Sequence, residues 1–235
     1  MECTINIIGI GGIGNPLTTL ITKTMSYKMA EDDTLLIRVI DGDKIETKNL
    51  QRQGFAVSQI GENKAIAMAK LIGVMFSDSR ITVEPVHLYL TPTNIDLITE
   101  GSINFVAADN YKTRWIVEQK AITMKDVMVI FGGNETFDGD CHLVHIENGA
   151  LLTKLYSEKH PEIANPKDKL PTEVGCAEAM DDNPQIILTN MACANAMVTM
   201  LFSRLEGIFK RKPWSELSNI SSIYFDVITG NQRCQ

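Results

Sequence analysis

The chain has 235 residues, 44% hydrophobic and 22% charged, with a net charge of −7, the balance of a globular protein large enough to bury a sizeable core. An acidic chain is a poor fit to a nucleic-acid partner, which calls for a basic face. Its longest apolar runs fall short of the ~18 residues that mark a transmembrane helix.

The segment Thr4–Ile8 is short, apolar and β-branched, as a buried parallel strand should be. It runs into Gly9-x-Gly11-Gly12-x-Gly14, and a helix pattern follows from about Pro16 to Ala30. Leu35–Ile40 reads as a second strand ending at Asp41-Gly42-Asp43, followed by a polar stretch from Lys44 to Gln53. Helical periodicity over Lys64–Met75, a strand over Ile81–Leu90 and a short helix over Asn94–Glu100 come next. Ile103–Ala107 predicts a strand closing at Ala108-Asp109-Asn110, Tyr111–Lys120 a helix, and Val127–Phe131 a strand. Alternation of β and α segments predicts an α/β fold: a doubly wound, Rossmann-like, mainly parallel sheet with helices on both faces.

After Gly132-Gly133 the character changes. Asp140–Glu147 and Tyr224–Val227 read as strands of a mixed sheet, and a helix is expected from about Pro184 to Leu205. Between them, Leu155–Asp182 is polar and punctuated by proline, a long loop of the kind that is usually functional or disordered. Lys210-Arg211-Lys212 reads as a solvated helix end.

A strand, a glycine-rich turn and a helix together form a phosphate cradle: glycines let the backbone approach, and the helix N-terminus offers unpaired N–H groups. Taken alone, the turn fits NAD, ATP or a generic connection, and Asp41 stands where an acid commonly bonds ribose hydroxyls. The five cysteines (Cys3, Cys141, Cys176, Cys193 and Cys234) are scattered, with no C-x-x-C pair and no preceding signal peptide. They read as free thiols of a reducing, cytoplasmic compartment rather than a structural zinc site of the usual spacing. Cys193, in an Ala/Met-rich helix, is expected in the core. His87, His142, His145 and His160 make no metal spacing, because His142 and His145 fall on opposite faces of a strand.

The run Asn49-Leu-Gln-Arg52-Gln53, downstream of the glycine turn, resembles the ThiF/MoeB/HesA family and the adenylation domains of ubiquitin-activating enzymes. Gly61-Glu-Asn-Lys64 and Ala108-Asp109-Asn110, followed by Arg114, extend the resemblance in the same order over roughly residues 4–150. The resemblance implies adenylation with ATP and Mg²⁺ of the C-terminal carboxylate of a ubiquitin-like or sulfur-carrier β-grasp protein. Arg52 and Lys64 would neutralise the phosphates, Asp109 would hold Mg²⁺, and Asp41 would take the ribose. Gly9, Gly11, Gly12, Gly14, Asp43, Asn49, Gln53 and Asn110 complete the expected cofactor site. Cys176, in the long loop, is either a thioester-forming nucleophile or incidental.

The resemblance also implies a homodimer, and a single domain over 1–235. Residues 1–135 would form a nucleotide-binding half, and 136–235 a partner-binding half with a crossover loop at about 155–182. Two departures stand out. The zinc cysteines that many members place around that loop are missing, and so is an N-terminal arginine segment of bacterial members. Adenylation of a peptide or tRNA-linked substrate, a non-catalytic partner subunit and an NAD-dependent oxidoreductase are the competing readings.

Overall fold

Strand β1 (Glu2–Ile8) lies at the centre of the sheet, and its Ile5 and Ile7 are fully buried. A strand covered on both faces is buried without alternation, here from Ile5 to Ile8, and the polar Asn6 among them donates to the Leu97 carbonyl at 3.2 Å and to Asn104 Oδ1 at 2.8 Å. The computed structural model describes residues 2–173, 185–217 and 219–235; Cys176 lies outside them.

After β1 come helix α1 (Gly14–Lys28), β2 (Thr34–Ile40), α2 (Lys64–Met75), β3 (Ile81–Val86), β4 (Ile103–Val106), α3 (Tyr111–Ala121) and β5 (Val127–Asn134). The antiparallel part follows as β6 (Asp138–Glu147) and the short β7 (Ala150–Leu151). A single helical turn, α4 (Tyr156–Lys159), and the long α5 (Ile187–Phe202) lead to the short α6 (Leu205–Ile208), β8 (Ser222–Asp226) and β9 (Asn231–Cys234). The sheet order is β3-β2-β1-β4-β5-β6-β8-β9, with β7 beside β6. Neighbours from β3 to β5 are parallel, and those from β5 onward are antiparallel.

Helices cover both faces, as the alternating pattern predicts. One core joins α1, α2 and α5 to the sheet; the other packs α3 and α4 around Phe131 and Val144. Several boundaries differ from the sequence reading. The third strand stops at Val86, and the short helix predicted over Asn94–Glu100 is a 3₁₀ turn over Ile95–Leu97. β5 continues through Gly132-Gly133 because antiparallel β6 pairs with it as far as Asn134. The segment predicted as loop carries α4 and 3₁₀ turns at Pro161–Ala164 and Pro171–Glu173. The Lys210–Lys212 run follows α6 in a turn rather than ending a long helix, with Lys210 at φ +54°.

His142 and His145 do point to opposite faces. His142 packs on Tyr156, whereas His145 stands edge-on to Trp214, ring centroids 4.5 Å apart. Burial, helped by the nearby Arg204 charge, pushes the His145 pKa down to about 4. The folded chain therefore refuses a proton that the unfolded chain accepts below about pH 6.5. Stability is expected to fall as pH drops from about 6.5 towards 4, by about 2 kcal/mol between pH 7 and pH 5 from this residue. Urea melts at the two pH values should show a loss smaller by about that amount in His145→Phe. An equal loss in both proteins would refute it.

Candidate functional site: the cleft at the strand switch point

From β1 the chain winds outward to β3, then returns to the other side of β1 as β4. Connections leave in opposite directions at that point, so a crevice opens beyond the carboxyl ends of β1 and β4. The two loops that bound it touch. Gly9 has φ +89°, and a Cβ there would come within 2.9 Å of the Ala108 nitrogen. Gly14 is tighter still: a Cβ would sit 1.8 Å from the Gly9 carbonyl oxygen. The turn thus folds back on itself and delivers the start of α1 to the crevice. Ile13, at the N-cap, makes no side-chain capping bond. Of the first-turn groups, the Asn15 N–H donates to the Gly11 carbonyl at 3.1 Å and Pro16 has none, so an anion there would be met by the start of the turn itself.

The cleft has a volume of about 1270 Å³. Gly9, Gly11 and Gly12 form its floor, Asp41, Asp43, Asn49, Arg52, Gln53 and Lys64 one wall, and Asp109 and Asn110 the other. Gly14 lies behind this lining, as the support of the turn.

The wall carrying the cations is built by α2. Asn63 caps that helix by accepting from the Ile66 N–H at 3.1 Å, and its amide donates to the carbonyls of Asp41 and Asp43 at 2.9 Å each. This clamp sets Lys64, 6% exposed, against Asp43, Nζ to Oδ2 2.9 Å. Burial acts against ionisation of Asp43, but the Lys64 charge and hydrogen bonds from Lys64 and Tyr89 win and hold its carboxyl below the usual range.

Asp41 is the opposite case. Its carboxylate accepts from the N–H groups of Ile10 (2.6 Å) and Asp43 (2.8 Å). Burial nevertheless outweighs those bonds and the Lys64 charge, and raises its pKa to about 6. Asn49 accepts from the Glu46 N–H at 2.8 Å, so it shapes its own 3₁₀ turn. Gln53 is 5% exposed, and its Oε1 has no partner among the described residues. A buried acceptor of this kind on the wall of a cleft is open to a donor from a ligand.

Across the cleft, Asp109 is exposed at the head of α3. Asn110 caps that helix, accepting from Thr113 N–H at 2.8 Å and donating to the Lys169 carbonyl. Asp168 accepts from the N–H groups of Tyr111 and Lys112, and Lys112 pairs with Glu173 at 2.8 Å. The loop as far as Glu173 is thus docked on the helix beside Asp109.

Sequence reasoning missed several residues around these. Tyr89 donates to Asp43. Gln185 accepts from Arg52 Nη1 at 2.6 Å. Asn190 of α5 donates to the Arg52 carbonyl at 3.3 Å and accepts from Asn134 at 3.1 Å. Only Asn190 left a signal, as a polar residue, fully buried, in an apolar helix. Arg114, by contrast, belongs to the motif already read from the sequence; it is buried and donates to the carbonyls of Ala108 (3.0 Å) and Gly132 (2.7 Å) and to the Tyr156 hydroxyl. It therefore braces the Asp109 loop against β5. Cys193 lies in the core as expected, its sulfur 3.8 Å from that of Cys141, and both thiols are free.

The sequence profile of the ThiF family matches residues 1–233. The chain belongs to the ThiF family. Among curated proteins, this ThiF chain is similar to two maize (Zea mays) proteins, adenylyltransferase and sulfurtransferase MOCS3-1 and MOCS3-2, at 22% and 23% identity over 189 residues. Each match covers 77% of the ThiF chain, and 38% and 37% of the two maize proteins. Among solved structures, E. coli MccB with ATP superposes with a TM-score of 0.67 at 20% identity, covering 99% of this chain and 62% of MccB. MccB in complex with N-formylated MccA gives 0.68 at 20% identity, and PaaA 0.64 at 16%, with 64% and 63% of those chains covered. The ThiF chain therefore spans less than two thirds of the proteins it resembles. At these identities the solved structures establish the fold, Rossmann-like and mainly parallel.

Proposed function

We propose that the chain binds ATP with Mg²⁺ in the switch-point cleft and adenylates a carboxylate of a protein or peptide. The supporting observation is that one cleft gathers a glycine turn at a helix N-terminus, two cationic side chains, a buried acceptor without a donor among the described residues and an exposed carboxylate. In this reaction an oxygen of the substrate carboxylate attacks the α-phosphorus of ATP. The bond to the bridging oxygen breaks, and pyrophosphate leaves with the electron pair. Both reactants are anions, so the protein must supply positive charge where they meet.

Arg52 and Lys64 fill that role on one wall. A guanidinium offers a planar fork of donors, and the Asp43 tether keeps the ammonium in place. Asp41 and Gln53 are acceptors suited to ribose hydroxyls and the purine amine; Asn49 offers its amide end. Asn110 acts by positioning the Asp109 loop, since both ends of its amide are engaged. One carboxylate facing a triphosphate suits Mg²⁺, which is held by one or two carboxylates plus phosphate oxygens and offsets the charge on the leaving group.

The finer reading is a ubiquitin-like or sulfur-carrier β-grasp substrate, with onward transfer to Cys176 as a thioester, in a cytoplasmic homodimer. Residues 1–135 would serve the nucleotide and 136–235 the partner. The similarity to MccB, solved with MccA, supports a peptide substrate as the second reading.

Calorimetric titration of MgATP and, separately, NAD tests the nucleotide assignment. ATP is expected to bind and NAD not, with ATP weakened about 10- to 100-fold in Arg52→Ala, the loss of a charged, multidentate contact. Binding of NAD, or ATP affinity unchanged in the variant, would overturn it.

A further inference from the structure

Asp140 and His160 line the same cleft and converge with the buried His142. Asp140 and His142 stand two apart on β6 and so share a face, while His160 arrives from the end of α4. The Asp140 Oδ2 lies 3.2 Å from His142 Nε2 and 3.0 Å from His160 Nε2, and the two Nε2 atoms are 3.2 Å apart. Donor atoms on a zinc-sized tetrahedral ion, each at about 2.0–2.2 Å, are separated by about 3.3 Å. The three atoms therefore already form one face of such a tetrahedron.

The surroundings explain why a cation belongs there. His160 Nδ1 is 3.0 Å from Glu162 Oε1, a carboxylate that can only accept. Nδ1 is thus engaged by Glu162, which leaves Nε2 as the ligating nitrogen. Nε2 faces the Asp140 carboxylate and a second imidazole nitrogen, so a bound cation would replace the proton shared there. His142, 3% exposed, has its Nδ1 2.8 Å from Ser222 Oγ, which fixes the ring from behind. A carboxylate or hydroxyl behind each ligating imidazole is the arrangement that orients metal-binding histidines. Tyr156, stacked on His160 with centroids 4.4 Å apart, holds that ring in place. Three donor atoms thus converge at 3.0–3.2 Å, with Asp140 and His160 lining the cleft and His142 buried beside them.

We propose that Asp140, His142 and His160 bind a divalent transition-metal ion of the zinc class, with its fourth position open to the cleft. The ion ties the segment that begins at Tyr156 to strand β6. By way of Tyr156 and Arg114 it would steady the wall that carries Asp109.

The test uses the full chain, purified in chelator and titrated first with Zn²⁺ against a chromophoric competitor, then with Co²⁺ under visible spectroscopy. One equivalent is expected to bind more tightly than about 1 μM. The cobalt form should show tetrahedral d–d bands without the intense thiolate bands that a cysteine site would give. Affinity should fall ~100-fold or more in His160→Ala, and ~10-fold in Glu162→Gln, which leaves every ligand in place. Circular dichroism confirms that the variants are folded, and a rise in wild-type Tm with Zn²⁺ gives a readout independent of any variant. Thiolate bands, affinity unchanged in His160→Ala, or no binding by about 10 μM would each overturn the site, the last leaving a proton-sharing network instead.

Discussion

Replacing Asp109 by Asn is expected to abolish the magnesium dependence of ATP binding and to cut turnover at least ~100-fold. Asp109 is exposed at the head of α3, facing the wall that carries Arg52 and Lys64, and lies in the loop that Arg114 and Asn110 hold in place. The substitution keeps the size and removes only the charge. Wild type should bind ATP about 10-fold or more tightly with Mg²⁺ than with chelator present; the variant should bind equally in both. The comparison needs no knowledge of the acyl substrate. An Asp109→Asn protein that kept the full magnesium effect would place the metal elsewhere, and its assignment to Asp109 would fall.

Gly14→Ala is expected to be more damaging than its single added methyl suggests. That methyl would lie 1.8 Å from the Gly9 carbonyl oxygen, which belongs to the backbone and cannot rotate aside. Gly9 is itself wedged against Ala108 at a positive φ, so relief by moving Gly9 opens the contact between the two loops that bound the cleft. Overpacking of this kind costs about 1–3 kcal/mol or more. Here the strain falls on the turn that would cradle phosphate. The variant should lose stability in a urea melt and lose ATP binding by calorimetry. Gly61→Ala provides a control with a positive φ, +89°, but open space around its Cβ; it should lose some stability and keep its ATP affinity. If Gly14→Ala bound ATP as wild type does, the turn would not be the phosphate cradle.

The parallel half of the fold was legible because each signal is local. A buried parallel strand is a near-continuous apolar run, a helix shows its own period, and a glycine turn sits in the chain between them. The order of β1, α1, β2, α2, β4 and α3 follows from that alternation. The strand from Asn231 to Cys234 was not legible, since its residues are exposed and it exists only by pairing with β8. The same holds for the loop after Leu155. Its turns are held by partners distant in sequence, such as the N-terminus of α3 for Asp168.

The identities of Arg52, Lys64, Asp41 and Asp109, and their order along the chain, were determined by the sequence alone, as was the phosphate-type turn before α1. That they line one cleft depends on the crossing of the sheet back over β1, a matter of strand order that no local pattern encodes. The histidines show the difference most sharply. Linear spacing offers His142 only His145, which the period of a strand sends to the far face against Trp214. Its real neighbours are Asp140, two residues before it, and His160, delivered by the chain's return across the sheet face. Side-chain chemistry is written residue by residue, whereas convergence of three donor atoms within about 3 Å is a property of packing alone.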